Sequence, residues 1–151
     1  MTTIICIGKK HEAIYRSSIE HFEGRLKHFT KVSWTLLPHS SLSEIEARKE
    51  ESVRILDAIK SNDYVILLDE KGASVSSPEL SDIIDKAQCS SHDICIVIGG
   101  AYGVDKSVCQ RANYAVSFGK AVFPHQLMRV MVLEQLYRAH SILAGSKYHH
   151  S

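Results

Sequence analysis

This chain of 151 residues lacks the spacings that announce the commonest ligands. It has no G-x-G-x-x-G and no G-x-x-x-x-G-K-[ST], which removes the dinucleotide fingerprint and the Walker phosphate loop. Its four cysteines (Cys6, Cys89, Cys95, Cys109) form no C-x-x-C pair. Two of them lie in apolar runs, where a reduced thiol behaves as a small hydrophobe, so a reducing compartment and no structural zinc are expected. There is little net charge either: 18 Lys and Arg stand against 17 Asp and Glu, a formal +1. A molecule so balanced has no global field to draw it to nucleic acid or anionic membrane, and any RNA affinity must come from local clustering. No run approaches 18 apolar residues, and "MTTIICIGKK" has no basic leader before its short apolar stretch. The expectation is a single cytoplasmic domain spanning residues 1–151, with no membrane contact.

What is present is an alternation. Thr3 to Ile7, Val32 to Leu37, Asp63 to Asp69, Ile94 to Ile98 and Tyr114 to Phe118 are short β-rich runs. Between them the apolar spacing turns helical: Ile14, Ile19, Phe22, Leu26 and Phe29 after His11, and a second helix to about Lys60 whose start at Ser43 and Glu46 has the capping-box spacing. Ser77 followed by Pro78 predicts an N-cap and first helical residue for a helix to about Ala87, a short helix follows from about Asp105, and Pro124 opens a long one to about Leu143. Strands alternating with helices predict an α/β fold with a mainly parallel sheet and helices on both faces, in which ligands gather at the carboxyl ends of the strands. Those ends follow Leu68, Ile98 and Phe118. The segment "EKGASVSSP", Glu70 to Pro78, is expected to be a mobile loop on that edge.

In the last helix Leu127, Met128, Val130, Met131, Val132, Leu133, Leu136, Tyr137, Ala139, Ile142 and Leu143 surround the axis. A helix apolar nearly all round must be covered nearly all round. A two-fold homodimer through it is the preferred reading, and a central helix buried within one chain is the alternative.

Four pieces in order, "LLDEKG", "IVIGGAYG", "FPHQLMRVMVLEQLYRAHSI" and the terminal "YHH", resemble the bacterial ribosomal RNA large-subunit methyltransferase H family, of the SPOUT class. The resemblance covers essentially the whole chain. It implies a C-terminal trefoil knot, a homodimer, S-adenosylmethionine as methyl donor, and methylation of N3 of a pseudouridine in large-subunit rRNA within the ribosome. Carried over to this sequence, cofactor contacts fall at Leu68, Gly100, Gly119, Lys120, Ala121, Val122, Phe123 and Pro124. Gly100 would let the donor lie against bare main chain, although a simple turn glycine is the plainer reading.

Methyl transfer from a sulfonium needs orientation and a proton acceptor but no metal, and no metal is expected. The candidates are His149 or Tyr148 near the base edge, with Arg129 and the tail positioning RNA phosphate. His125 is open between catalysis and fixing its own loop. Glu134 and Arg138, spaced i, i+4, suit a structural interface pair better than chemistry. Lys9, Lys10, Arg16, Arg25, Lys27 and Lys31 gather near the first helix, but Glu12, Glu20 and Glu23 dilute them towards an ordinary solvated face. Two departures stand out. The family's G-G-P-E-G is Gly99, Gly100, Ala101, Tyr102, Gly103 here, and its Y-H-R ending is Tyr148, His149, His150. Two rival readings follow, a SPOUT enzyme acting on another RNA and a ligand- or RNA-binding dimer without turnover.

Overall fold

The computed structural model describes residues 1–150. Five strands and five helices alternate along the chain: β1 (Thr2–Ile7), α1 (Ala13–Leu26), β2 (Val32–Leu37), α2 (Glu44–Ala58), β3 (Tyr64–Ser74), α3 (Ser77–Cys89), β4 (Ile94–Ile98), α4 (Lys106–Arg111), β5 (Tyr114–Ser117) and α5 (His125–Leu143). The strands form one sheet in the order β2-β1-β4-β3-β5, and every neighbouring pair is parallel. Its register brings Cys6, Ile98, Leu68 and Val116 into one row, so β1, β4 and β5 end within a residue of the level of Leu68, where the straight part of β3 stops.

Side chains alternate across a strand, and here both faces are apolar because both are covered. Ile4, Cys6, Ile66, Ile96, Ile98 and Val116 face the layer containing α1, α3 and α5. Ile5, Ile7, Val65, Leu67, Cys95 and Val97 meet Ile55 of α2 and Val108 of α4 on the other side. Each such Ile or Leu contributes roughly 1.5–3 kcal/mol by leaving water. Burial also pushes the Cys6 and Cys95 thiols up to about 12, which keeps both protonated and inert.

Several local expectations are corrected. The capping box belongs to α3 and not α2: the Ser76 hydroxyl accepts from the Glu79 amide, and the Glu79 carboxylate accepts from the Ser76 amide. Ser77 and Pro78 are therefore the first two helical residues. At α2, Ser43 is the N-cap by position, but its side chain makes no capping bond, and Glu44 takes φ 43°. Ile14 is 76% exposed and contributes nothing to the core, and α1 ends at Leu26 before Phe29, whose ring stacks on His140 instead. The expected mobile loop from Glu70 is largely strand. β3 leaves β5 after Leu68, returns at Ala73 opposite Val116, and pairs Ser74 with Ser117. A backbone that re-pairs five residues on is held by its ladder, which composition alone did not signal.

Candidate active site

The aligned strand ends surround one cavity of about 820 Å³. Its wall is made of three chain segments: Leu68 to Lys71 after the straight part of β3, Ile98 to Val104 after β4, and Val116 to Gly119 with Ala121 to Pro124 after β5. His125 and Met128 close it from α5, and Arg48 reaches it from α2. The volume lies in the range of roughly 300–1,000 Å³ usual for small-molecule sites. Apolar Leu68, Ile98, Val116 and Met128 stand beside Asp69, Glu70, Lys71 and Arg48, a mixture suited to a ligand carrying both apolar and charged parts.

Of the residues singled out in the sequence, Leu68, Gly100, Gly119, Ala121, Val122, Phe123, Pro124 and His125 line this cavity. Lys120 does not; it is exposed on the loop between them. Arg48, Asp69 and Met128 are additions. Arg48 carries no sequence signal, because "RK" within a helix does not say which of the two residues reaches the sheet edge.

Gly100 has a different physical reason from the one expected. A Cβ there would stand 2.8 Å from Glu51 Oε1 and 3.3 Å from Ile7 Cγ2, so the space a side chain would need is filled by the protein itself. Glu51 is 4% exposed; one carboxyl oxygen accepts from the Ser40 amide at 3.1 Å and the other has no partner. The glycine loop is closed on itself by the Gly103 amide donating to the Gly100 carbonyl at 3.0 Å. Its exit is fixed by the Asp105 amide donating to the Ser52 hydroxyl at 2.9 Å.

Arg129 is the clearest correction. It is 0% exposed, and its guanidinium donates to the carbonyls of Lys10 (2.9 Å), Ile7 (3.0 Å) and Gly8 (3.1 Å) and touches His11 Nδ1 at 3.1 Å. A fork spent on three main-chain carbonyls cannot also hold an RNA phosphate. Arg129 ties α5 to the end of β1, and Gln126 adds a bond to the Lys10 carbonyl and one from the Glu12 amide.

One turn earlier, His125 sits at the cavity rim with its ring edge-on to His39, centroids 5.9 Å apart. Burial first, then the cationic charge of Arg129, lowers its pKa below the ordinary histidine value, so it is a neutral imidazole near neutral pH.

The tail lies elsewhere. The Tyr148 hydroxyl donates to Glu134 at 3.3 Å, its ring packs edge-on to Tyr137, and Arg25 and Arg138 lie over its face. Arg138 binds Glu134, as the i, i+4 spacing required, and Arg138 Nη1 lies 3.4 Å from His149 Nδ1. At 1.5 Å of rise per residue, Glu134 and Arg138 are about 14–20 Å along α5 from His125. The tail therefore does not reach the cavity of its own chain. Burial and the Glu134 charge raise the Tyr148 pKa, so it remains a phenol and a donor.

No helix among the described residues is long and apolar enough to cross a membrane. Nor does any group of three or more His, Cys, Asp or Glu among them converge as a metal site.

A parallel α/β sheet, covered on both faces, that gathers three strand-end loops around one cavity defines the class of α/β domain with its candidate site at the carboxyl ends of the strands. The family model described as "Predicted SPOUT methyltransferase" matches residues 1–149. Two similar proteins are the ribosomal RNA large subunit methyltransferases H of Clostridium novyi (strain NT), 42% identical, and of Clostridium botulinum (strain Loch Maree / Type A3), 40% identical. Each match spans 97% of this chain and 98% of the relative. The chain belongs to the SPOUT methyltransferase family, and that membership implies the knotted form of the α/β fold.

Proposed function

We propose that this protein transfers a methyl group from S-adenosylmethionine to N3 of a pseudouridine in large-subunit ribosomal RNA, acting as a homodimer on the assembled ribosome in the cytoplasm. The observation that carries the reading is the larger cavity walled by the three strand-end segments, with His125 on its lining. When bound, S-adenosylmethionine supplies a methyl group made electrophilic by the adjoining sulfonium.

The chain's own residues have three tasks. Leu68, Ile98, Val116 and Met128 exclude water from the apolar parts of the ligand, while the main chain of Gly119 and Ala121 to Pro124 holds it in position. The proton on N3 must leave before or during attack, and His125, neutral and at the rim, is a base already in the accepting form. Arg129 positions His125 by fixing the start of α5 against β1.

The homodimer draws support from α5 and the tail. Leu127, Val130, Met131 and Ile142 of α5 are only half-buried in the single chain, an apolar stripe suited to a second copy. Tyr148 and His149 are too far from their own cavity to act there, so their chemical role is assigned to the partner's pocket, Tyr148 as donor and His149 beside the base edge. With Arg129 buried and both its Nη groups bound to main-chain carbonyls, contact with RNA phosphate falls to the tail alone.

The test is transfer of labelled methyl from S-adenosylmethionine to intact ribosomes, to isolated subunits and to free rRNA. Transfer to ribosomes, lost in His149→Ala with donor binding unchanged, is the expected result. Binding of the donor without transfer to any of the three would leave a binding protein, and transfer to another RNA would name a different substrate.

A further inference from the structure

A second, smaller cavity of about 250 Å³ adjoins the first and is lined by Glu44, Ile45, Arg48 and Tyr102. We propose that it receives an RNA base flanking the methylated nucleotide, stacked on Tyr102. The proposal rests on the functional reading above and adds where the substrate strand lies.

Four observations point there. Arg48 lines both cavities, so whatever fills the smaller one abuts what fills the larger. Arg48 Nε has no hydrogen-bond partner in the chain, so the protein itself does not hold the guanidinium through that atom. Tyr102 is 49% exposed and Ile45 is 54% exposed, two large apolar surfaces facing one hollow from different elements. The volume is below the roughly 300 Å³ at which pockets begin to hold drug-sized ligands, so it suits one planar ring and not a whole nucleoside cofactor.

The chemistry of the lining favours a base over a phosphate alone. Every base offers a π-face for an aromatic platform, and such stacking tolerates many sequences. Glu44 would repel a phosphate but can accept from a base N–H, while Arg48 can donate to a base carbonyl. The position fits as well. α2 and the glycine loop border the cavity on the α2 and α4 side of the sheet, opposite the layer that contains α5. A dimer made through α5 leaves this rim open to a strand entering the pocket. Tyr102, which stands where the family's loop carries an acidic residue, supplies an aromatic surface in place of a charge.

Steady-state methyl transfer to ribosomes and S-adenosylmethionine binding by calorimetry, measured on Tyr102→Ala, Tyr102→Phe and Ile45→Asp, test this. Tyr102→Ala should raise KM for ribosomes roughly 5- to 150-fold, the range of losing one base–aromatic stack. Tyr102→Phe should recover most of that loss, and Ile45→Asp, at a residue that lines the smaller cavity alone, should raise KM likewise with donor affinity within about twofold of the unsubstituted protein. An unchanged KM in Tyr102→Ala overturns the subsite, and so does a loss of donor affinity in Ile45→Asp that matches its loss of transfer, which would make the smaller cavity part of the donor site. Absence of transfer by the unsubstituted protein instead overturns the functional reading, and the subsite with it.

Discussion

Two turns of this molecule use glycine to admit a buried charged side chain, one of each sign. At Gly8, with φ 117°, a Cβ would lie 2.8 Å from Arg129 Nη2; at Gly100 it would lie 2.8 Å from Glu51 Oε1. The similarity ends there. Arg129 finds three carbonyls and leaves only Nε without a partner, whereas Glu51 accepts one amide and keeps an entire carboxyl oxygen unpaired. A buried polar group that is nearly satisfied rigidifies its surroundings, and one left half-satisfied is a site of stored cost. The saturated turn joins α5 to β1 and lies behind the cavity; the unsaturated one is part of its wall. Within one sheet edge, the same device serves a clamp in one place and a ligand-facing loop in the other.

The largest effect should follow from breaking the clamp. Arg129→Met leaves the carbonyls of Ile7 and Gly8 without this donor, while Lys10 keeps Gln126, at roughly 1–3 kcal/mol for each group left unpaired and buried. Partial hydration would reduce the sum, so a loss of about 3–5 kcal/mol in a urea titration is expected. A loss below about 1 kcal/mol would mean that the turn does not depend on the guanidinium.

Gly100→Ala should act on binding more than on folding. The new methyl group meets a carboxyl that packing holds in place, so the loop must move outward into the cavity. Donor affinity should fall about tenfold or more, equivalent to about 1.4 kcal/mol. Glu51→Asp, shorter by one methylene, should recover part of that loss in the double variant, and strict additivity of the two changes would argue that they do not touch.

The smallest effect is in pH. His11 and His125, on either side of Arg129, both have pKa values lowered chiefly by burial and then by the Arg129 charge. Below about pH 6.5 the unfolded chain binds protons that these two histidines resist binding when folded, so stability is full above that point and declines as pH falls through it. The urea midpoint should therefore drop on acidification, less so in His11→Gln. An unchanged slope in that variant would assign the acid sensitivity to other groups, among them the buried His140, whose pKa burial also lowers.

Much of this was legible from residue order. The five strands were each marked by short β-rich runs and the helices by their spacing, because period 2 and period 3.6 are properties of the chain itself. The convergence of the segments after Leu68, Ile98 and Phe118 followed from parallel α/β architecture, and the resemblance named Gly100 and the Gly119 to Pro124 segment as residues expected at a ligand. The capping signal was misplaced by one residue at Ser77 because Ser76 and Ser77 are alike in sequence, and only the backbone shows which hydroxyl reaches the Glu79 amide.

The sequence by itself determined the alternation of elements, the double coverage of the sheet, the family, and the i, i+4 pairing of Glu134 with Arg138, all of which depend on local periodicity or on motifs read in order. Only the tertiary structure decided that Arg129 is a buried tie, that Gly100 yields its space to Glu51, that β3 rejoins β5 at Ala73, and that Arg48 borders the cavity. Each of these is a meeting of residues distant along the chain, and a buried charge is placed by the partners it finds there, which no local pattern encodes.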